Sequence, residues 1–135
     1  MAIIDGLIKE KNGALSFGNY EAEEKLKVND FMHLGDSYYV KSHKDVTKVE
    51  RNDMFLYESV PGTVVKGFIE DEDTIEFDIE GFTDSQVTLG MLPDTEYDVF
   101  VDGNDEGKTV TNLGGKLTIS VELQEGQTRH IKVTR

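Results

Sequence analysis

Alternation with period two dominates this sequence and leaves little room for anything but β-strands. Ile75, Phe77 and Ile79 alternate with Glu76, Asp78 and Glu80. Tyr97, Val99 and Val101 alternate with Glu96, Asp98 and Asp102, and Phe100 is an apolar exception on the polar side. Leu117, Ile119, Val121 and Leu123 alternate with Lys116, Thr118, Ser120 and Glu122, and Ile131 and Val133 with His130, Lys132 and Thr134. Successive side chains of a strand point to opposite faces, so each segment has one face to bury and one to wet. Turn signals stand between them at Asp102-Gly103-Asn104, Gly114-Gly115 and Glu125-Gly126. Short strands at regular spacing predict an antiparallel sandwich.

The first half is also β, less regularly. Leu15 and Phe17 follow a turn signal at Asn12-Gly13, Leu26 and Val28 alternate with Lys25 and Lys27, and Tyr38-Tyr39-Val40 follows Gly35-Asp36. Val46 to Arg51 and Met54 to Val60 flank Asn52-Asp53 and predict a hairpin. Residues 20–27 lack a helical apolar stripe, so a loop and strand are expected there rather than a short helix. Pro61-Gly62 predicts a type II turn, with Pro fixing φ and Gly supplying a positive φ. The charged run Glu70 to Asp73 follows. The chain thus divides into an N-terminal β segment, 1–63, and a C-terminal sandwich unit, 64–135.

Composition narrows the function classes. There is no cysteine, so disulfides and thiolate chemistry are excluded. No apolar run approaches the roughly 20 residues of a membrane-spanning helix. The N-terminal residues lack the basic segment and apolar stretch of a signal peptide. The expectation is a cytoplasmic, soluble protein, or an extracellular one if a leader was removed. The net charge is −13. Residues 1–65 hold 8 basic and 11 acidic side chains (net −3), and residues 66–135 hold 6 and 16 (net −10). Phosphate backbones and anionic membranes are repelled by such a surface, so neither nucleic acid nor membrane is an expected partner.

The segment Gly90-Met91-Leu92-Pro93-Asp94-Thr95-Glu96-Tyr97 resembles the Gly-Leu-x-Pro-x-Thr-x-Tyr corner of fibronectin type III domains. In such a corner the Tyr97 hydroxyl bonds back to the backbone while its ring joins the core. Few residues separate the strand ending near Ile79 from that starting near Gln86. The unit is therefore truncated, or completed by the N-terminal half. The stretch from Tyr97 to Leu123 also looks like small β modules at the C-termini of bacterial polysaccharide-processing enzymes. The whole chain is similar to short gut-bacterial Firmicutes proteins that carry an endosialidase label, a similarity that includes Ser16 to Tyr20 and Tyr57 to Thr63. That resemblance implies a sialic-acid-directed hydrolase. Endosialidases hold a polyanionic sugar through basic residues; this chain has three arginines, Arg51, Arg129 and Arg135, and no catalytic residue is carried over by a matching motif.

The candidate metal ligands are Asp102, Asn104 and Glu106, whose spacing with Gly107 matches the first half of an EF-hand loop. The closing acid is missing, since Leu113 stands in its place, and a hairpin loop accounts for the same residues. His33, His43 and His130 have no ligand spacing among themselves and are expected at surfaces or edges. Glu58 lies within the apolar run Met54 to Tyr57, where burial would raise its pKa unless it faces outward. No Gly-x-Ser-x-Gly elbow and no phosphate loop occurs.

Tyr38, Tyr39 and Tyr57 are the candidate ligand-binding residues. Adjacent Tyr38 and Tyr39 must point to opposite faces of a strand, which leaves one of them outside. Exposed tyrosines suit sugar stacking and protein contacts alike. A basic group, Lys25, Lys27, Lys41, Lys44, Lys48 and Arg51, lies in the less acidic half; it suits an anionic ligand but supplies no general acid. The expectation is an all-β, fibronectin- or immunoglobulin-like sandwich without a cofactor. Its expected role is a non-catalytic module that binds glycan or protein. A glycan-acting hydrolase and a structural subunit that forms homo-oligomers through sheet edges are the alternatives.

Overall fold

The computed structural model describes residues 6–135. In chain order the strands are β1 (Ile8–Lys11), β2 (Ala14–Phe17), β3 (Leu26–His33), β4 (Asp36–Ser42), β5 (Thr47–Arg51), β6 (Met54–Val60) and β7 (Thr63–Glu70). They continue as β8 (Thr74–Gly81), β9 (Ser85–Gly90), β10 (Glu96–Val101), β11 (Asn104–Val110), β12 (Lys116–Val121) and β13 (Arg129–Thr134). No helix occurs among the described residues, and so none that is long and apolar enough to cross a membrane. Residues 20–25 form a loop that leads into β3, as the missing helical stripe predicts.

Two antiparallel sheets face each other across one core, the all-β sandwich expected from the alternation. The first has seven strands in the order β1-β2-β7-β8-β13-β10-β11, and the second six in the order β12-β9-β6-β5-β4-β3. Strands from both sides of residue 63 share each sheet. From β8 onward the pairing is nested. β8 pairs β13, β9 pairs β12 and β10 pairs β11, so residues 74–134 form one long hairpin folded across both layers.

Local chemistry explains the hairpins. Asn12-Gly13, Asn52-Asp53 and Asp102-Gly103 all have positive φ at both central positions, the type I′ shape that matches strand twist and favours Asn, Asp and Gly. The same shape between β3 and β4 places Leu34 at a φ of 51°. The turn between β6 and β7 is not the type II turn expected. The Val60–Pro61 peptide is cis, and Gly62 does not take a positive φ. Glycine stands there for space: a Cβ at Gly62 would lie 2.0 Å from the His43 carbonyl oxygen.

The core is apolar with a built-in polar seam. Phe17 meets Tyr57 edge-on at 5.2 Å, and Phe68 stacks on Phe77 at 5.7 Å. Beside them Ser42, Thr47, Ser59 and Thr63 are fully buried. The Tyr57 and Ser59 hydroxyls each lie 2.7 Å from Thr63 Oγ1, and the Ser42 and Thr47 hydroxyls lie 2.7 Å apart. This seam ties β4, β5 and β6 to the first residue of β7, where the chain crosses between sheets. Buried hydroxyls are tolerated because each finds a partner.

Candidate functional site

The outer face of the six-stranded sheet carries the site. On β4, Tyr38, Val40 and Ser42 are buried while Ser37, Tyr39 and Lys41 face outward, half-buried. Opposite Tyr39 the edge strand β3 bulges. Val28 pairs Val40 and Phe31 pairs Tyr38, so Asn29 and Asp30 together face the single residue Tyr39. Asp30 takes a positive φ of 57° to make this fit. On the other side Tyr39 pairs Glu50 of β5.

The β5–β6 turn closes the end of this groove. Asn52 donates its backbone N–H to the Ser37 carbonyl at 2.7 Å and its Nδ2 to Asp36 Oδ1 at 2.9 Å. Its Oδ1 accepts the Ser37 N–H at 3.0 Å. Those three bonds clamp the turn to β4 and bring Asp53 to the rim. The result is a groove of about 210 Å³ lined by Asn29, Asp30, Ser37, Tyr39, Glu50 and Asp53. It combines one aromatic ring with an amide, a hydroxyl and carboxylates. Such a set can stack on an apolar ring face and accept hydrogen bonds from several hydroxyls at once.

The other sequence candidates fall elsewhere. Tyr57 is fully buried in the aromatic cluster, and burial raises its phenol to about 12. Tyr38 is 5% exposed and packs against His33. Neither offers a ring face to a ligand, so of the three tyrosines only Tyr39 remains. Glu58 stands outward between Lys48 and Thr88 in the sheet.

His33 and His43 are buried rather than at the surface. His130 lies on the outer face of the seven-stranded sheet, its ring nitrogens 2.7 Å from Asp78 and 2.5 Å from Glu76.

The 102–106 loop forms no cation cage. Asp102 accepts the His130 backbone N–H at 2.8 Å and Arg129 Nη1 at 2.9 Å. Those contacts hold its carboxyl below the usual range, with the His130 backbone bond the larger cause and Arg129 next. Its charge is met by protein groups, with Asn104 and Glu106 beyond it along the same shallow groove. Among the described residues no cluster of three or more His, Asp or Glu side chains is arranged to hold a metal ion.

A second hollow of about 350 Å³ opens at one end of the sandwich between Met54, Phe55, Leu92 and Lys116. Its Arg51 is bonded to Glu70, and Lys116 Nζ caps the Phe55 ring at 4.6 Å. Both cations and the ring are thus engaged within the protein. No protein-family model, curated protein or solved structure matches this chain.

Proposed function

We propose that this protein is a non-catalytic module that binds carbohydrate on the outer face of its six-stranded sheet, with Tyr39 as the platform. The observation that carries the reading is the setting of Tyr39: an outward-facing ring flanked by Asn29 and Asp30 on one side and Glu50 on the other. Pyranose rings present an apolar C–H face and a rim of hydroxyls. A tyrosine meets the first, and carboxylates and amides meet the second. The β5–β6 turn that closes the groove is held to β4 by the Asn52 hydrogen bonds, and the β3 bulge on the other side is fixed by its pairing with β4, so little ordering cost remains when a ligand arrives.

Affinity electrophoresis against a panel of neutral and acidic polysaccharides tests this. Tyr39→Ala is expected to weaken binding about tenfold or more, equivalent to about 1.4 kcal/mol. Tyr39→Phe keeps the stacking face and most of the affinity. Retention of full affinity in a folded Tyr39→Ala variant rejects the site.

A second reading, assembly through a sheet edge, is supported by β3. It is an edge strand of eight residues; Met32 within it is 63% exposed, and Leu34 in the turn that follows is 81% exposed. Such an edge is a template for pairing with another strand. Molar mass in solution decides it: a concentration-independent monomer rejects assembly through β3.

A further inference from the structure

We propose that Lys27, Lys41 and Lys48 form an anion-binding row beside the Tyr39 groove, so that the occupant of this face is an anionic polysaccharide rather than a neutral one. The proposal rests on the reading of the Tyr39 groove as a carbohydrate site and names the chemical class of its ligand.

The register places the three lysines side by side. Lys27 of β3 pairs Lys41 of β4, and Lys41 pairs Lys48 of β5. Val40 and Val49, next to Lys41 and Lys48, are fully buried, so alternation turns these two lysines to the outer face, and Lys27, directly opposite Lys41 in the ladder, shares that face. Like charges directly opposite one another in a sheet destabilise it. The chain has 27 acidic and 14 basic side chains, yet these adjoining positions are all lysine. Neutralisation within the protein is partial. Lys48 Nζ lies 3.6 Å from Glu50, and Glu58 of β6 stands opposite Lys48 on the same face. Among the described residues the lysine ion pairs are made by Lys44, Lys48, Lys66 and Lys108, and neither Lys27 nor Lys41 has one. The repulsion that remains, chiefly between Lys27 and Lys41, is relieved when an anion lies along the row.

Position links the row to the groove. Lys41 is two residues from Tyr39 on the same strand and the same face, about 7 Å away along the strand. Neighbouring lysines stand roughly 4.8 Å apart, so the row spans about 10 Å across three strands. A sugar on Tyr39 therefore brings its substituents, or those of the next residue in the chain, over the lysines. Flexible ammonium groups act as point charges and do not select one fixed bidentate geometry. They suit carboxylates or sulfates repeated along a polymer. On a protein of net charge −13, this row gives a polyanion a local approach that the rest of the surface denies.

The test compares dextran, dextran sulfate and polygalacturonate by titration calorimetry at low and raised salt. At least one polyanion is expected to bind about tenfold or more tightly than dextran, with the advantage screened away by salt. The Lys41→Gln/Lys48→Gln double variant should lose that advantage, while the Lys41→Arg/Lys48→Arg variant keeps it. The Gln variant should also melt at a higher temperature than the parent when unliganded, because the repulsion is gone. That result shows in the same experiment that it folds. The ratio of dextran sulfate to polygalacturonate affinity assigns sulfate or carboxylate.

Equal affinity for dextran and both polyanions overturns the anion row and leaves the carbohydrate reading standing. Polyanion binding that survives the Gln substitutions overturns it as well. Polyanion binding that needs the lysines but is unchanged in folded Tyr39→Ala overturns the carbohydrate reading and leaves a simple anion site. Absence of binding to all three polymers overturns the proposal as stated.

Discussion

Thr47 and Thr63 exchange hydrogen bonds in both directions: Thr47 Oγ1 donates to the Thr63 carbonyl at 2.8 Å and accepts the Thr63 N–H at 3.1 Å. Thr47's single hydroxyl proton is thereby committed. In its 2.7 Å contact with Ser42 the serine must therefore donate, and Ser42 Oγ in turn accepts the Asn19 N–H at 2.8 Å. One threonine side chain thus satisfies the backbone at the point where β7 begins and fixes the hydroxyl orientations around it. Thr47→Val keeps the shape and takes their Thr47 partner from the Thr63 N–H, the Thr63 carbonyl and the Ser42 hydroxyl proton, while Ser42 Oγ still accepts the Asn19 N–H. We expect a loss of roughly 3–5 kcal/mol, since each buried orphan costs about 1–3 kcal/mol and some relaxation follows. Thr47→Ser keeps the oxygen and should cost about 1 kcal/mol for the lost methyl. Urea melts that give the two variants equal midpoints would show that the network contributes nothing specific.

The corner before β10 makes a similar comparison possible. The Leu92 N–H donates to the Tyr97 hydroxyl at 3.4 Å, a long bond. Thr111 makes stronger ones: its hydroxyl donates to the Leu92 carbonyl at 2.6 Å and accepts the Thr95 N–H at 2.9 Å. Thr111 is buried, so both backbone groups depend on it. Tyr97→Phe, which keeps the ring in the core, should therefore cost only about 0.5 kcal/mol, and Thr111→Val about 2–3 kcal/mol. Denaturant midpoints in the reverse order would mean that the tyrosine, not the threonine, pins the corner.

These two networks mark the limit of what period-two reading can deliver. Alternation identifies Ile75, Phe77 and Ile79 as inward because β8 runs without interruption. It fails at Tyr57 because β6 carries a bulge. Val49 pairs Tyr57, but Glu50 pairs Phe55, so Leu56 is an extra residue and parity changes across it. Leu56 and Tyr57 are consequently both buried, and Phe55 lies outward beside Glu50. The β3 bulge that builds the Tyr39 groove is hidden for the same reason: a bulge is defined by its partner strand, and one strand's sequence does not contain that register. The opposite faces of Tyr38 and Tyr39 were legible because they need only the pleat. The lysine row was legible as composition and not as geometry, since Lys27, Lys41 and Lys48 become neighbours only once β3, β4 and β5 are in register.

Chelation should leave the protein untouched. Asp102, the residue that opens the EF-hand-like spacing, has one oxygen on the His130 N–H and the other on Arg129. A calcium ion would have to displace the guanidinium. We expect the same melting temperature in EDTA as in millimolar-order calcium, since a ligand that binds only the folded state raises it by mass action. Asp102→Asn should destabilise the hairpin end under both conditions equally. A melting temperature that rises with added calcium in the parent, and not in Asp102→Asn, would restore the loop as a cation site.

His130 should make stability depend on pH. Its Nδ1 lies 2.7 Å from Asp78 and its Nε2 2.5 Å from Glu76. A neutral imidazole has one N–H, so only the imidazolium can donate to both carboxylates. The Asp78 hydrogen bond first, then that of Glu76, raises the His130 pKa above its ordinary 6.5. Lys132 pairs Glu76 and Lys66 pairs Asp78 in the sheet, so cations flank the same carboxylates and temper the effect. The folded-state value is raised. The contribution is therefore fully present below 6.5, the unfolded value, and is lost as pH rises through the folded-state value. The ring is 45% exposed, so solvent screening keeps the gain small. The melting temperature should fall as pH is raised from 6.5 through the His130 midpoint, and His130→Gln should flatten that fall without unfolding the protein. An NMR titration of the His130 ring protons gives the midpoint directly. A value at or below 6.5, or a His130→Gln variant with the parent's pH profile, would remove the two-carboxylate clamp from the account of this face.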